Sequence, residues 1–112
     1  MNIQIYGIKK CFDTKKAERY FKERQIKFQS IDLNQKGLSK GELRSVQAAV
    51  GLDQLVNRNA KNYQVLNMDR IISSEIKRDI LLENPDLYNT PIVRNGRQAT
   101  VGYQPDVWNS WE

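Results

Sequence analysis

The chain has 112 residues, 39% hydrophobic and 28% charged, enough for one folded domain with a real core and too few for two. Eighteen Lys and Arg against thirteen Asp and Glu leave a net charge of +5; the charge is scattered, so it favours anionic ligands and acidic surfaces without marking a nucleic-acid binder. Histidine is absent and Cys11 is the sole cysteine, which excludes imidazole acid–base catalysis, His- or Cys-cluster metal sites and an internal disulfide. No apolar run approaches the ~20 residues that span a bilayer. The opening Met1-Asn2-Ile3-Gln4-Ile5-Tyr6 lacks the basic and apolar regions of a signal peptide. A cytoplasmic location away from membranes is expected.

Ile3 and Ile5 alternate with polar residues over 1–6 and Gly7 follows, which predicts a short strand and then a loop over 7–12. From Asp13 to Arg24 there is no breaker, and Ala17, Tyr20 and Phe21 fall on one helical stripe. Asp13 and Thr14 at its start and Lys22 and Arg24 at its end suit the helix dipole. Ile26, Phe28, Ile31 and Leu33 predict a second strand, and strand–helix–strand at this spacing is a βαβ unit with parallel strands.

Ser39 with Glu42 three residues on is a capping-box signature, opening a helix with Leu43, Val46, Ala49 and Val50 inward and Gly51 as its stop. The stretch 52–66 reads as one or two short helices. Ser73 or Ser74 caps another, with Ile76, Ile80 and Leu81 towards the core and Asn84-Pro85 ending it. Thr90-Pro91-Ile92-Val93-Arg94 predicts a third strand, and Asn95-Gly96 a hairpin turn into a returning strand over 97–102. Pro105 opens a terminal helix whose Trp108 and Trp111 read as packing residues. The expected order is β-α-β, a helical insertion over about 39–84, then β-β-α. It makes one α/β domain over 1–112, with its core in 1–35 and 88–112.

Cys11 falls in the loop between the first strand and the first helix. In a parallel α/β unit this is the carboxyl end of a strand, where ligands bind, beside a helix N-terminus that stabilises an anion. Lys9 and Lys10 also favour the thiolate; Asp13 opposes them, and the Thr14 hydroxyl can donate to the sulfur. A lowered thiol pKa is expected. The competing reading is a small buried hydrophobe.

The segments Ile5-Tyr6-Gly7-Ile8-Lys9-Lys10-Cys11, Lys15-Lys16-Ala17, Asn57-Arg58, Thr90-Pro91-Ile92-Val93 and Val101-Gly102-Tyr103 together resemble, in order, the ArsC-like thioredoxin-fold superfamily. That superfamily includes glutaredoxin-linked arsenate reductases, YffB-like proteins and Spx/MgsR-type transcriptional regulators. The resemblance implies a thioredoxin-like α/β fold with an inserted helical subdomain. It implies that Cys11 is the redox or nucleophilic position, and that Pro91 is cis and holds Thr90 against Cys11. It also places Arg58 at one of the three arginines with which arsenate reductases neutralise an oxyanion. The residue before the proline, arginine in those enzymes, is Thr90 here, and the third position falls near Tyr103-Gln104. Arg94 and Arg97 are the candidate replacements. Where Spx-type regulators carry a second cysteine this chain has Thr14, so only a mixed disulfide, a sulfenic acid or an oxyanion adduct can form.

Two functions compete. The first is a thiol oxidoreductase with Cys11, Thr14 and Arg58 as catalytic residues and Lys10, Thr90, Pro91 and Arg94 as binding residues. It would hold no resident cofactor and would use glutathione or glutaredoxin as the resolving partner. The second, implied by the resemblance to Spx, is a regulator that binds the C-terminal domain of the RNA polymerase α subunit without turnover. Gly51 would then lie in the contact surface; a helix C-cap is its other reading.

Overall fold

A computed structural model describes residues 1–111. The chain runs β1 (Ile3–Gly7), α1 (Phe12–Glu23), β2 (Phe28–Asp32), α2 (Lys40–Val50), α3 (Leu52–Leu55), α4 (Lys61–Val65), α5 (Ser74–Glu83), β3 (Ile92–Asn95), β4 (Gln98–Val101) and α6 (Pro105–Asn109), with single 3₁₀ turns at Met68–Arg70 and Pro85–Leu87. The sheet order is β2-β1-β3-β4. β1 pairs parallel with β2, Ile3 opposite Phe28 and Gly7 opposite Asp32, and antiparallel with β3, Ile5 opposite Val93. β3 and β4 form an antiparallel hairpin. This is a thioredoxin-like α/β topology with a helical subdomain inserted between β2 and β3.

Strand alternation divides the core in two. Ile3, Ile5 and Val93 point to one face and pack with Ala17, Tyr20 and Phe21 of α1 and with Trp108 and Trp111. Tyr6 and Ile92, one residue out of phase, point to the other face and meet Leu43, Val46, Leu55, Leu81 and Tyr88 of the insertion. β2 explains its own irregular pattern: Ile26 and Phe28 join the α1 side, whereas Leu33 and Ile31 join the insertion side. The strand is shorter than the apolar run, and Gln29 and Ser30 are exposed on this edge.

Local signals and outcomes match at most caps. The Ser39 hydroxyl accepts from Glu42 N at 3.2 Å, and the Glu42 carboxylate accepts from Ser39 N at 2.8 Å, the reciprocal capping box. The same carboxylate accepts from the buried Tyr6 hydroxyl, which ties the start of α2 to the central strand. Ser73 caps α5, and Trp108 donates to Thr100 Oγ1 at 2.7 Å in the core. Three expectations shift. Ala49 is exposed, only Leu43 and Val46 of α2 being fully buried. Ile76 lies in the first turn of α5, where the helix overhangs the core, and is 51% exposed. The hairpin turns on Gly96-Arg97, with Asn95 still paired to Gln98; positive φ is needed only at Gly96 (60°), the pattern of a type II′ turn, not the Asn-Gly type I′.

Gly7 decides how closely α1 approaches the sheet. A Cβ there would fall well inside van der Waals contact of Thr14 Cγ2 and Oγ1, so only glycine lets the first turn of α1 close against the end of β1. Gly7→Ala is expected to displace that turn and lower stability by about 1–3 kcal/mol, the usual range for overpacking a well-packed site. Urea unfolding monitored by tryptophan fluorescence measures it.

Candidate functional site around Cys11

Cys11 is the N-cap of α1, with extended backbone (φ −84°, ψ 117°). Its N–H donates to Ile8 O at 3.1 Å, and its carbonyl accepts from Lys15 N at 3.3 Å, fixing the residue between loop and helix. The side chain is half-buried, and Sγ donates to the carbonyl oxygen of Thr90 at 3.6 Å. The Thr90–Pro91 peptide is cis. Thr90 enters the site because Asn89 N donates to Leu55 O at 2.7 Å and the Asn89 side chain donates to Gln54 O and Val56 O, so the insertion holds the segment that precedes β3.

Thr14 is 6% exposed, and its Oγ1 is buried with no hydrogen-bond partner. A buried hydroxyl without a partner is costly, and the sulfur beside it explains the arrangement. While Cys11 is a thiol its proton is directed to Thr90 O; as a thiolate it becomes an acceptor for the Thr14 hydroxyl. Burial pushes the Cys11 thiol up, but hydrogen bonds from the Thr14 and Thr90 hydroxyls, then from the backbone N–H groups of Thr14 and Asp13, outweigh it and hold the thiol below its ordinary range. Short-range donors from the helix start and from Thr90 lower the thiol. Lys9 and Lys10 are exposed and are not among the leading causes.

Arg94 is engaged elsewhere. Arg94 donates through Nη1 to Gln4 Oε1 at 2.9 Å and through Nε to Gly96 O at 3.1 Å and Ser45 Oγ at 3.4 Å. It pairs with Gln4 near the start of β1, at the other end of that strand from Cys11, with its guanidinium on the α2 side. Arg97 is exposed in the hairpin turn. Arg58 is exposed and lines a depression with Leu52, Asp53, Tyr63, Met68 and Asp69. Thr14, Thr90 and Pro91 are therefore gathered at Cys11, Lys10 is beside it in sequence and open to solvent, and Arg94 is held apart. Among the described residues no cluster of acidic or sulfur ligands could hold a metal ion. No helix among them is long and apolar enough to cross a membrane.

A family model for ArsC matches residues 6–111. The chain belongs to the ArsC family. It is 29% identical over 105 residues to an uncharacterized protein of Haemophilus influenzae, covering 90% of each chain. It is 26% identical over 110 residues to the global transcriptional regulator Spx 2 of Oceanobacillus iheyensis, covering 95% of this chain and 80% of that one. The solved structure of a YffB protein superposes with a TM-score of 0.82 at 25% identity over 96% of both chains. This places the ArsC-family chain in the thioredoxin-fold superfamily that includes YffB- and Spx-related members.

Two features of this ArsC-family site are not evident from the sequence. Gly7 looks like a strand terminator; the signal for its role is its spacing, one helical turn plus a loop before Thr14. Phe12, next to the thiol, is 77% exposed, where an apolar residue at a helix start is ordinarily expected to be covered. For the thiol, the alkylation rate with iodoacetamide is expected to rise with pH to a half-maximum below the unperturbed ~8.5. Thr14→Val removes the donor but keeps the shape, so the midpoint should move up towards that value while stability is unchanged or higher.

Proposed function

We propose that this chain is a regulator of the Spx kind, which docks on the C-terminal domain of the RNA polymerase α subunit and turns over no small substrate. The observation that carries the reading is the surface at Gly51. This residue ends α2 with φ 83°, nothing lies within 4 Å of where its Cβ would stand, and it rims an open depression of about 470 Å³ lined by Gln47, Val50, Leu52, Gln54 and Lys77. The glycine at the end of the second helix is thus a C-cap and also a part of an accessible face. Similarity to curated Spx regulators over most of their length supports the same reading. The arginines point the same way: arsenate-type chemistry needs guanidinium groups around the thiol to neutralise the oxyanion, and Arg94 is engaged with Gln4, Gly96 and Ser45. A cytoplasmic location accompanies this role.

Purified polymerase α C-terminal domain should bind the immobilised chain. Gly51→Arg, which fills the open face, is expected to weaken binding at least about tenfold, a loss of ~1.4 kcal/mol. Gly51→Ala introduces the same backbone strain with almost no bulk and should bind nearly as the parent does. Absence of binding by the parent chain, or equal loss in both variants, overturns the reading.

A second reading, a glutathione- or glutaredoxin-linked thiol oxidoreductase, is favoured by the lowered Cys11 thiol. Cys11 thiolate would attack one sulfur of oxidised glutathione, forming the protein–glutathione disulfide and releasing glutathione thiolate. Thr14 and Thr90 would stabilise the attacking sulfur, and Arg58 would stabilise the negative charge that develops. Mass spectrometry after exposure to oxidised glutathione should show one adduct, absent in Cys11→Ser and removed by glutaredoxin. Failure of glutaredoxin to release it excludes turnover by this route.

A further inference from the structure

The outer face of α1 carries an arrangement that neither reading uses. Phe12 is 77% exposed, and Lys15 Nζ stands 5.8 Å from its ring centroid. One residue on, Lys16 Nζ stands 5.6 Å from the ring of Tyr103, itself 41% exposed. Phe12, Lys15 and Lys16 share one helical face by their i, i+3, i+4 spacing, opposite the buried Thr14, Ala17 and Phe21. The contacts close a ring around the sulfur: Cys11 Sγ to Thr90 O, Gly102 N to Pro91 O at 2.8 Å, then Tyr103 back to Lys16 on the helix. From Tyr103 a groove of about 390 Å³ continues along α1, lined by Lys16, Arg19, Glu23, Arg24 and Pro105. Arg24 closes its far end with its guanidinium 3.6 Å over the Tyr20 ring.

We propose that this face is a docking groove for an extended acidic segment of a partner protein whose cysteine is held in a disulfide, placed so that Cys11 thiolate attacks that sulfur, forms the protein–partner disulfide and releases the second sulfur as thiolate. Three cations against one carboxylate in the groove select an acidic occupant. Its length does the rest: thirteen residues from Cys11 to Arg24 at 1.5 Å each give about 20 Å, which an extended segment of about six residues spans. Single-stranded nucleic acid also seeks cations and aromatics, but it needs open ring faces for stacking, and here lysine ammonium groups stand against both Phe12 and Tyr103. The groove is separate from the Gly51 face, so the two proposals stand or fall independently.

The test uses two eight-residue peptides, each with one terminal cysteine carried as its mixed disulfide with thionitrobenzoate, one with glutamates and one with lysines at the remaining positions. Cys11 thiolate attacks the peptide sulfur, the protein–peptide disulfide forms, and thionitrobenzoate leaves with the electron pair and is read by its colour. The leaving group is common to both, so its own charge cancels in the comparison. At low ionic strength the acidic peptide is expected to react at least about tenfold faster, with the advantage collapsing near 1 M salt, where the screening length falls to about 3 Å. The pair Lys16→Gln and Arg19→Gln should remove most of the preference while leaving alkylation by neutral iodoacetamide unchanged. Phe12→Ala should slow both peptides alike. Equal rates for the two peptides, a preference that survives the double variant, or no reaction with either while iodoacetamide still alkylates Cys11 overturns the proposal. Stronger competition by oligothymidine than by a polyglutamate of equal charge assigns the groove to nucleic acid and also overturns it.

Discussion

The close approach of Thr14 to the backbone of Gly7 fixes where α1 starts, and the layout of the whole site depends on it. With the first turn of the helix drawn against the end of β1, the N-cap position falls at the sheet's edge of open chemistry, and that position is Cys11. The same approach buries the Thr14 hydroxyl beside the sulfur and leaves Phe12 no inward direction, so it stands in solvent. One missing side chain therefore arranges a thiol, its donor and an exposed aromatic within a single loop.

Thr90 is brought to the opposite side of the sulfur by a different device. The insertion closes on the segment before β3 through Asn57 N to Leu87 O, Asn89 N to Leu55 O and the Val56–Tyr88 bridge. The helical subdomain thus holds the far wall of the Cys11 site while offering its own face at Gly51. The capping box of α2 and the Tyr6–Glu42 hydrogen bond anchor that subdomain to the central strand. Burial works against charge on Glu42, yet the hydrogen bonds from Tyr6 and Ser39 outweigh it and keep the carboxyl below its ordinary range.

Each feature is legible in the sequence to the extent that its signal is local. The βαβ crossover, the capping box and the tryptophan packing are written in short-range periodicity and are readable. The buried faces of α2 and α5 are shorter than their apolar stripes, because periodicity shows which face turns inward but not where the helix outruns its partner; Ala49 and Ile76 lie past that point. The hairpin register differs by one residue since Asn95-Gly96 and Gly96-Arg97 both offer a glycine, and the pairing of Asn95 with Gln98 chooses between them. At the site, Thr14 and Cys11 are readable from adjacency along a helix start. The placement of Arg94 is not, because it depends on which side of the sheet a strand residue faces and on three acceptors drawn from β1, α2 and the turn.

The idle Thr14 hydroxyl has a thermodynamic corollary. A donor that lacks an acceptor until the neighbouring sulfur loses its proton makes the protonated fold the less comfortable of two forms. Because the native thiol is more acidic than its unfolded counterpart, the gain in folding free energy grows as alkalinity passes the native value and levels off beyond the unfolded one. The resilience of the whole molecule is in this way coupled to the ionic state of one atom.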